Sequence, residues 1–401
     1  MKNNSYFINK AQEYFSEIQR FRRTIHQNPE LSFCEVNTSK FISDELNKLE
    51  IENEFILESI NCEKKGKIGV LGIIGKGEKC IGLRADIDAL PILEETGLDF
   101  SSVNQGVMHA CGHDIHTAIL LGAAKILKEI EAELPGKVLL IFQPAEEFLP
   151  GGAKLTLETG LIQKHNPIAI FGEHINPELN VGQFAVKSGP LMASTDELHI
   201  TINGKGSHAG QPHLGSDVIL AASQLIQFYQ NIITKFKNPL EPAIISITSI
   251  HSGTVTNIYP DSAKLLGTMR TYNQELRINL KNEIREKSEL IAKLYNCKVD
   301  LNIVEGYPPV INSEKTTSVL EETIRSSYGN DALIKAEPKM WAEDFAYYSS
   351  IAPSTFYFIG VHSGDSEIYP LHNCHLNPNE EAMKYGASIL SNVAYTFLHH
   401  S

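Results

Sequence analysis

The feature that most constrains this chain is a series of short, unbroken apolar runs separated by stretches of helical periodicity. Gly69–Gly75 (GVLGIIG), Cys80–Asp86 (CIGLRAD), Lys137–Pro144 (KVLLIFQP) and Pro167–His174 (PIAIFGEH) are too short for helices and lack regular polar alternation. They read as strands buried on both faces. Between them, His116–Ile130 (HTAILLGAAKILKEI) has helical spacing. Buried strands joined through helices predict an α/β sheet covered on both sides. At the start, Phe7, Ala11, Tyr14, Phe15, Ile18, Phe21 and Ile25 predict a helix that stops near Pro29, since a proline disfavours helix in the residue before it.

The middle of the chain has a different style. Glu197–Lys205 alternates Leu198, Ile200 and Ile202, the signature of a half-exposed strand. Ser216–Phe236 is helical, Ala243–His251 and Ala263–Tyr272 are strands, Gln274–Leu294 is helical and Cys297–Val304 is a strand. That order, βαββαβ, is the split βαβ arrangement. The helical patterns Thr316–Ser326 and Glu380–Phe397, with strand Thr355–Val361, resume the first style. The expected architecture is an α/β domain from residues 1–189 and 305–401, interrupted by an α+β domain at 190–304.

With 401 residues, the chain has ample material for two or three cores. Its net charge of −13 argues against a general polyanion binder, which needs concentrated Lys and Arg. No apolar run nears the ~18–20 residues that span a bilayer. The six cysteines are scattered without a CxxC pair and read as reduced thiols. A cytoplasmic protein, without membrane or nucleic-acid partners, is expected.

Strand ends of an α/β sheet are where ligands bind, and here they carry metal-binding side chains. Cys80–Asp86 exits into Asp86-Ile87-Asp88, Lys137–Pro144 into Ala145-Glu146-Glu147, and Pro167–Phe171 into Gly172-Glu173-His174. Ahead of the helix lies His109-Ala-Cys111-Gly-His113-Asp-Ile-His116. Cys111 and His113 are too far round to share a helix face, yet a turn at Gly112 brings both to one point. His109 and His116 are either ligands or residues that orient ligands. Of Glu146 and Glu147, one is expected to bind metal and the other to accept a proton as general base. Asp86 and Asp88 alternate on extended chain, so both can face the metals or the histidines that need orienting. Gly204–His213 is a flexible loop with His208 and His213, and His372, Cys374 and His375 add three donors near the end. No GxSxG elbow, HExxH or Walker loop is present, which removes support for serine nucleophiles and nucleotide binding.

RRTIHQNPELSF (Arg22–Phe33), RADIDALPILEETGL (Arg84–Leu98), GVMHACGHDIHTA (Gly106–Ala118), FQPAEE (Phe142–Glu147), GSHAGQPH (Gly206–His213), GTVTNIYP (Gly253–Pro260), GTMRT (Gly267–Thr271), EDFAYY (Glu343–Tyr348) and PLHNCHLNPNE (Pro370–Glu380) are long and specific. On them, nearly the whole chain resembles the metallo-aminoacylase/carboxypeptidase family of N-acyl-amino-acid amidohydrolases. These include hippurate hydrolase, indole-acetyl-amino-acid hydrolase and N-acetyldiaminopimelate deacetylase.

The resemblance implies a zinc-peptidase-like catalytic domain with an inserted ferredoxin-like lid through which the chain dimerises. It implies two divalent ions (zinc, manganese, cobalt or nickel) on Cys111, His113, Glu147, His174 and His372, with the sulfur bridging. Glu146 is then the general base, Asp88 orients a ligand, and His208 stabilises the oxyanion. Asn257 and Arg270 contact the substrate carboxylate, the guanidinium fork suiting both oxygens. The implied reaction is hydrolysis of N-acyl-L-amino acids, with dipeptidase, carboxypeptidase or N-acetyldiaminopimelate deacetylase activity as alternatives. A catalytically inactive acyl-amino-acid-binding or interaction protein is the non-enzymatic alternative. Two positions depart from the family pattern: Cys374, followed by His375, where proline is common, and Trp341, where small residues are common.

Overall fold

The apolar runs build the centre of an eight-stranded mixed sheet in the computed structural model, which describes residues 2–364 and 367–400. From one edge to the other, the strands are Glu52–Glu58, Lys67–Gly75, Lys137–Gln143, Cys80–Asp86, Ala169–Asn180, Ser354–His362, Phe184–Val186 and Leu333–Lys335. Cys80–Asp86 runs parallel to both its neighbours, and Ala169–Asn180 runs parallel to Ser354–His362. All seven residues of Cys80–Asp86 are buried, as a strand covered on both faces requires. Helices His113–Glu129 and Ala382–His400 share the core with the sheet through Ile119, Leu120, Leu127, Leu390 and Leu398.

Three parallel strands at the centre send their C-terminal ends the same way. That is why Asp86, Gln143 and the Glu173–His174 stretch lie at neighbouring positions: Asp86 is in register with Gln143, and Arg84 with Gly172. The chemistry-bearing residues follow from this edge.

The chain divides into two units: Met1–Leu191 with Ile311–Glu337 and Asp344–Ser401, and Met192–Val310 with Pro338–Glu343. In the second, four antiparallel strands lie in the order Ala243–Ser252, Ser262–Thr271, Asp196–Asn203, Lys298–Glu305. Helices Val218–Lys235 and Gln274–Leu294 complete a ferredoxin-like βαββαβ unit. Leu198, Ile200 and Ile202 are buried, while Glu197 and His199 face out, so the period-2 pattern does what it predicts. The buried Asp196 at the start of that strand is held by Arg277 (2.7 and 2.8 Å) and Lys281 (3.0 Å).

Some expectations are corrected. The leading helix is two, Asn4–Glu13 and Phe15–Gln27, separated at Tyr14, whose backbone leaves the helical region (ψ 4°). The helix expected from His116 starts at His113. Helix Val36–Lys48 and strands Glu52–Glu58, Phe184–Val186 and Leu333–Lys335 carry patterns too weak or too short to read from sequence. No helix among the described residues is long and apolar enough to cross a membrane.

Cys34 and Cys62, expected as free thiols, form a disulfide with Cα atoms 5.6 Å apart. That distance lies within the bonding range and is invisible in sequence, because the residues are 28 apart. The bond ties the Leu31–Glu35 segment to the loop at Cys62. Closing a loop of this length contributes about 3 kcal/mol through the unfolded state. A Cys34→Ser/Cys62→Ser variant is expected to unfold in urea with about that loss of stability. Unchanged stability would show that the bridge contributes nothing.

Candidate metal centre

Cys111 and His113 flank Gly112, which caps the helix with φ 86°. A Cβ at Gly112 would lie 2.3 Å from Ile175 Cδ1, so the tight turn that aims both donors is available to glycine alone. Glu146 and Glu147 follow the Lys137–Gln143 strand after Ala145, which has φ 54°. The loop folds back so closely that a Cβ at Gly152 would sit 1.6 Å from the Pro144 carbonyl oxygen. His174 projects from the Ala169–Asn180 strand, and His372 sits at φ 63° with its backbone N–H donating to Ala110 O (2.8 Å).

These segments bring their donors together. Cys111, His113 and His174 offer atoms within 4.8 Å of one another, and so do Cys111, Glu147 and His372. Cys111 belongs to both groups. Its Sγ is 3.3 Å from His174 Nε2, and His372 Nε2 is 3.2 Å from Glu147 Oε1. A third group, His113, Glu146 and Glu147, places the second carboxylate beside the first.

The histidines are oriented as metal ligands usually are. His113 Nδ1 donates to Asp88 O (2.9 Å) and His174 Nδ1 to Ile175 O (2.8 Å), so each presents the lone pair of Nε2. His113 Nε2 and Glu147 Oε1 are buried and make no hydrogen bond. Buried polar atoms are normally satisfied, and a buried imidazole nitrogen and carboxylate oxygen beside a shared thiol, without hydrogen bonds among the described residues, fit a site for a cation. Electrostatics agrees. Burial opposes charge on His113, but Asp86, Asp88 and Glu147 outweigh it and push its pKa up to about 10. Burial, then Glu147 and Glu146, holds the Cys111 thiol well above its ordinary range. Without a cation, this pocket gathers protons; with one, metal replaces them. His174, by contrast, is kept neutral by burial and by His116.

Asp88 connects the parts. Its carboxylate accepts the backbone N–H groups of Glu146 and Glu147, both at 3.0 Å, and the Ser32 hydroxyl at 2.6 Å, and it lies 3.3 Å from His113 Nδ1. It therefore fixes the carboxylate loop as well as a histidine. Asp86 takes His116 Nδ1 at 2.6 Å, while His116 Nε2 accepts the Ile175 N–H at 2.9 Å. Both ring nitrogens of His116 are thus engaged, and Asp86, His113 and His116 also offer atoms within 4.8 Å of one another. His109 is buried, its pKa lowered to about 4 mainly by burial. Cys374 and His375 group with Glu95, apart from the Cys111 groups.

Sequence reasoning passed over several supports. Arg84 is fully buried and donates to Gln143 (2.8 Å), Asp86 (2.8 Å) and Asp344 (2.9 Å). A charged residue in an otherwise apolar strand was the available signal. Glu35 is buried and accepts the Ala145 N–H at 2.7 Å, holding the left-handed residue just before Glu146; no pattern announced it.

His208, Asn257 and Arg270 belong to the second unit. His208 lies on a two-residue strand paired with Ile258–Tyr259, and its Nδ1 accepts the Gly210 N–H (3.0 Å). Asn257 accepts the Ala209 N–H through its carbonyl (2.9 Å). Arg270 donates to the Thr195 and Thr268 hydroxyls and pairs with no carboxylate among the described residues.

A mixed α/β sheet that gathers two groups of metal-binding side chains around one thiol has the donor chemistry of a metal-dependent hydrolase. Residues 82–396 match the model of Peptidase family M20/M25/M40, and the chain belongs to that family of hydrolases acting on amide bonds. It is 38% identical over 380 residues to N-acetyldiaminopimelate deacetylase of Listeria monocytogenes, covering 94% of this chain and 98% of the relative. It is 35% identical over 395 residues to IAA-amino acid hydrolase ILR1-like 4 of Arabidopsis thaliana, covering 97% and 87%. The Bacillus subtilis YXEP protein, a dinuclear metal binding peptidase of the M20 family, superposes with a TM-score of 0.83 at 36% identity, covering 97% of this chain and 99% of that one.

Beside the centre, Asp114 accepts from Arg22 (3.0 Å) and His26 (2.9 Å), and His26 meets Glu94 at 3.2 Å on its other nitrogen. Burial disfavours the charged imidazole, but Asp114 and Glu94 overcome this and hold its pKa at about 9, above the ordinary 6.5. The stabilisation is therefore complete below about pH 6.5 and disappears as pH climbs through about 9. Thermal unfolding should show stability falling over that window. The fall should be smaller in His26→Gln, because His113, whose pKa is also raised, contributes over the same window; an identical pH profile in the variant would refute the assignment.

Proposed function

We propose that this protein hydrolyses the amide bond of N-acyl-L-amino acids, releasing a carboxylic acid and a free amino acid. The carrying observation is the pair of donor groups that share Cys111, with Glu146 held at their side. Cys111, His113 and His174 would hold one divalent ion, and Cys111, Glu147 and His372 the other. Zinc, cobalt or nickel suits the thiolate and imidazoles, and the carboxylate admits manganese. When bound, such ions lower the pKa of water and polarise a carbonyl oxygen.

The chain's own residues supply the rest. Glu146, whose backbone is fixed by Asp88, takes a proton from the attacking water and returns it to the leaving nitrogen. Asp88 keeps His113 turned with Nε2 inward. His208 is assigned to the tetrahedral oxyanion, a contribution of ~2.7–4 kcal/mol for a single donor. Arg270, with Asn257, is assigned to the substrate's free carboxylate; a guanidinium held by two hydroxyls and not ion-paired to a carboxylate among the described residues is suited to bind one. That recognition favours acylated amino acids over long peptides.

The relatives differ in what their names say they act on, so the acyl group and amino acid are read by assay. Acetyl, benzoyl, indole-acetyl and succinyl amino acids, dipeptides and N-acetyldiaminopimelate form the panel. We further assign a homodimer to the second unit, whose edge strand Ala243–Ser252 exposes Ile244 and Ile250, with Leu266 exposed on the adjacent strand.

Glu146→Ala should abolish release of free amine, by a factor of at least about 10²–10⁴, while metal per chain stays at the wild-type value. A variant that keeps both metal and turnover would remove Glu146 from the role of base.

A further inference from the structure

Glu95, Cys374 and His375 offer a carboxylate oxygen, a thiol and an imidazole nitrogen within 4.8 Å of one another, and none of them belongs to the groups around Cys111. We propose that these three residues form a separate surface site for a borderline divalent cation, zinc being the best fit. It goes beyond the hydrolytic reading and does not depend on it.

The geometry is specific. Cys374 Sγ lies 3.6 Å from Glu95 Oε2, and His375 Nε2 lies 3.4 Å from the same oxygen. Zinc bonds sulfur at about 2.3 Å and nitrogen or oxygen at about 2.0–2.2 Å, so tetrahedral ligands stand roughly 3.3–3.6 Å apart. The two spacings to Glu95 Oε2 match edges of that tetrahedron, and Sγ and Nε2 lie within 4.8 Å of each other.

The imidazole is also prepared. His375 Nδ1 donates to the Glu95 carbonyl at 3.0 Å, which turns the Nε2 lone pair towards the carboxylate. This is the same device that orients His113 and His174. Two hydrogen bonds fix the frame: Glu95 N–H to the Cys374 carbonyl at 2.9 Å, and His375 N–H to the Asn373 side-chain Oδ1 at 2.9 Å. The ligand set is therefore assembled before any ion arrives, from segments far apart in sequence.

The donor set selects the ion. A thiolate with an imidazole excludes magnesium and calcium, which take oxygen ligands, and favours zinc or cobalt. Cys374 and His375 are half-buried and Glu95 is exposed, so the fourth position faces solvent and takes water. An ion there would pin Glu95 to the segment two residues beyond His372, itself held at φ 63°.

The test counts metal, not turnover, so its result is independent of whether the chain cleaves acyl-amino acids. Metal-stripped full-length protein is dialysed to equilibrium against micromolar zinc chloride, and bound zinc per chain is measured by mass spectrometry. Cys374→Ser and Glu95→Gln are each expected to bind one equivalent less than wild type. Cobalt gives a second readout. The thiolate-to-cobalt charge-transfer band should persist in Cys111→Ser and vanish in Cys111→Ser/Cys374→Ser. Equal zinc in wild type and both surface variants would overturn the site, as would a cobalt band indifferent to Cys374. If Cys111→Ser fails to fold, the zinc count in the two surface variants decides.

Discussion

A buried concentration of negative charge at one edge of a parallel sheet is the constraint on which the rest depends. Asp86, Asp88 and Glu147 face the imidazole of His113 beside the Cys111 thiol. Burying unpaired carboxylates is costly, so each needs a counter-charge or fixed donors. Arg84 answers Asp86 from within the sheet, and two backbone N–H groups with a serine hydroxyl answer Asp88. What is left, the Glu147 oxygen and His113 Nε2 beside the thiol, both without a hydrogen bond among the described residues, is the part that suits cations.

This constraint explains why local backbone is unusual where it is. Gly112, Ala145 and His372 all take positive φ, and each stands at or beside a proposed ligand or the proposed base. Regular helix or strand would turn the side chains away. The conformations are held by neighbours: Ile175 packed against Gly112, Glu35 on the Ala145 N–H, and Ala110 O on the His372 N–H. The Cys34–Cys62 bridge anchors the segment that supplies Ser32 and Glu35, so a covalent link sits directly behind the carboxylate loop.

Much of the fold was legible because its signals are periodic. The buried strand Cys80–Asp86 and the alternating strand around Leu198–Ile202 carry opposite patterns, and each forms the strand its pattern dictates. Donors were legible where they cluster in sequence, as in HACGHDIH, and the neighbouring exits of Asp86 and the Glu146–Glu147 loop follow from parallel strand ends. What stayed hidden depends on contacts between distant residues. The 34–62 disulfide, Glu35 reaching Ala145, and Cys374 turning to Glu95 leave no local trace. Roles for His208, Asn257 and Arg270 came from resemblance alone; only the lack of an ion-paired carboxylate on Arg270 among the described residues adds a physical reason.

Sharing of one sulfur between two ions is the most direct thing to measure. Anomalous diffraction from crystals of the zinc-loaded protein should place two peaks either side of Cys111 Sγ, each about 2.3 Å from it. One peak should be completed by His113 and His174, the other by Glu147 and His372. A single peak at the centre, or two there of which one lacks the sulfur, would contradict the shared thiolate; a further peak at Glu95, Cys374 and His375 belongs to the surface site.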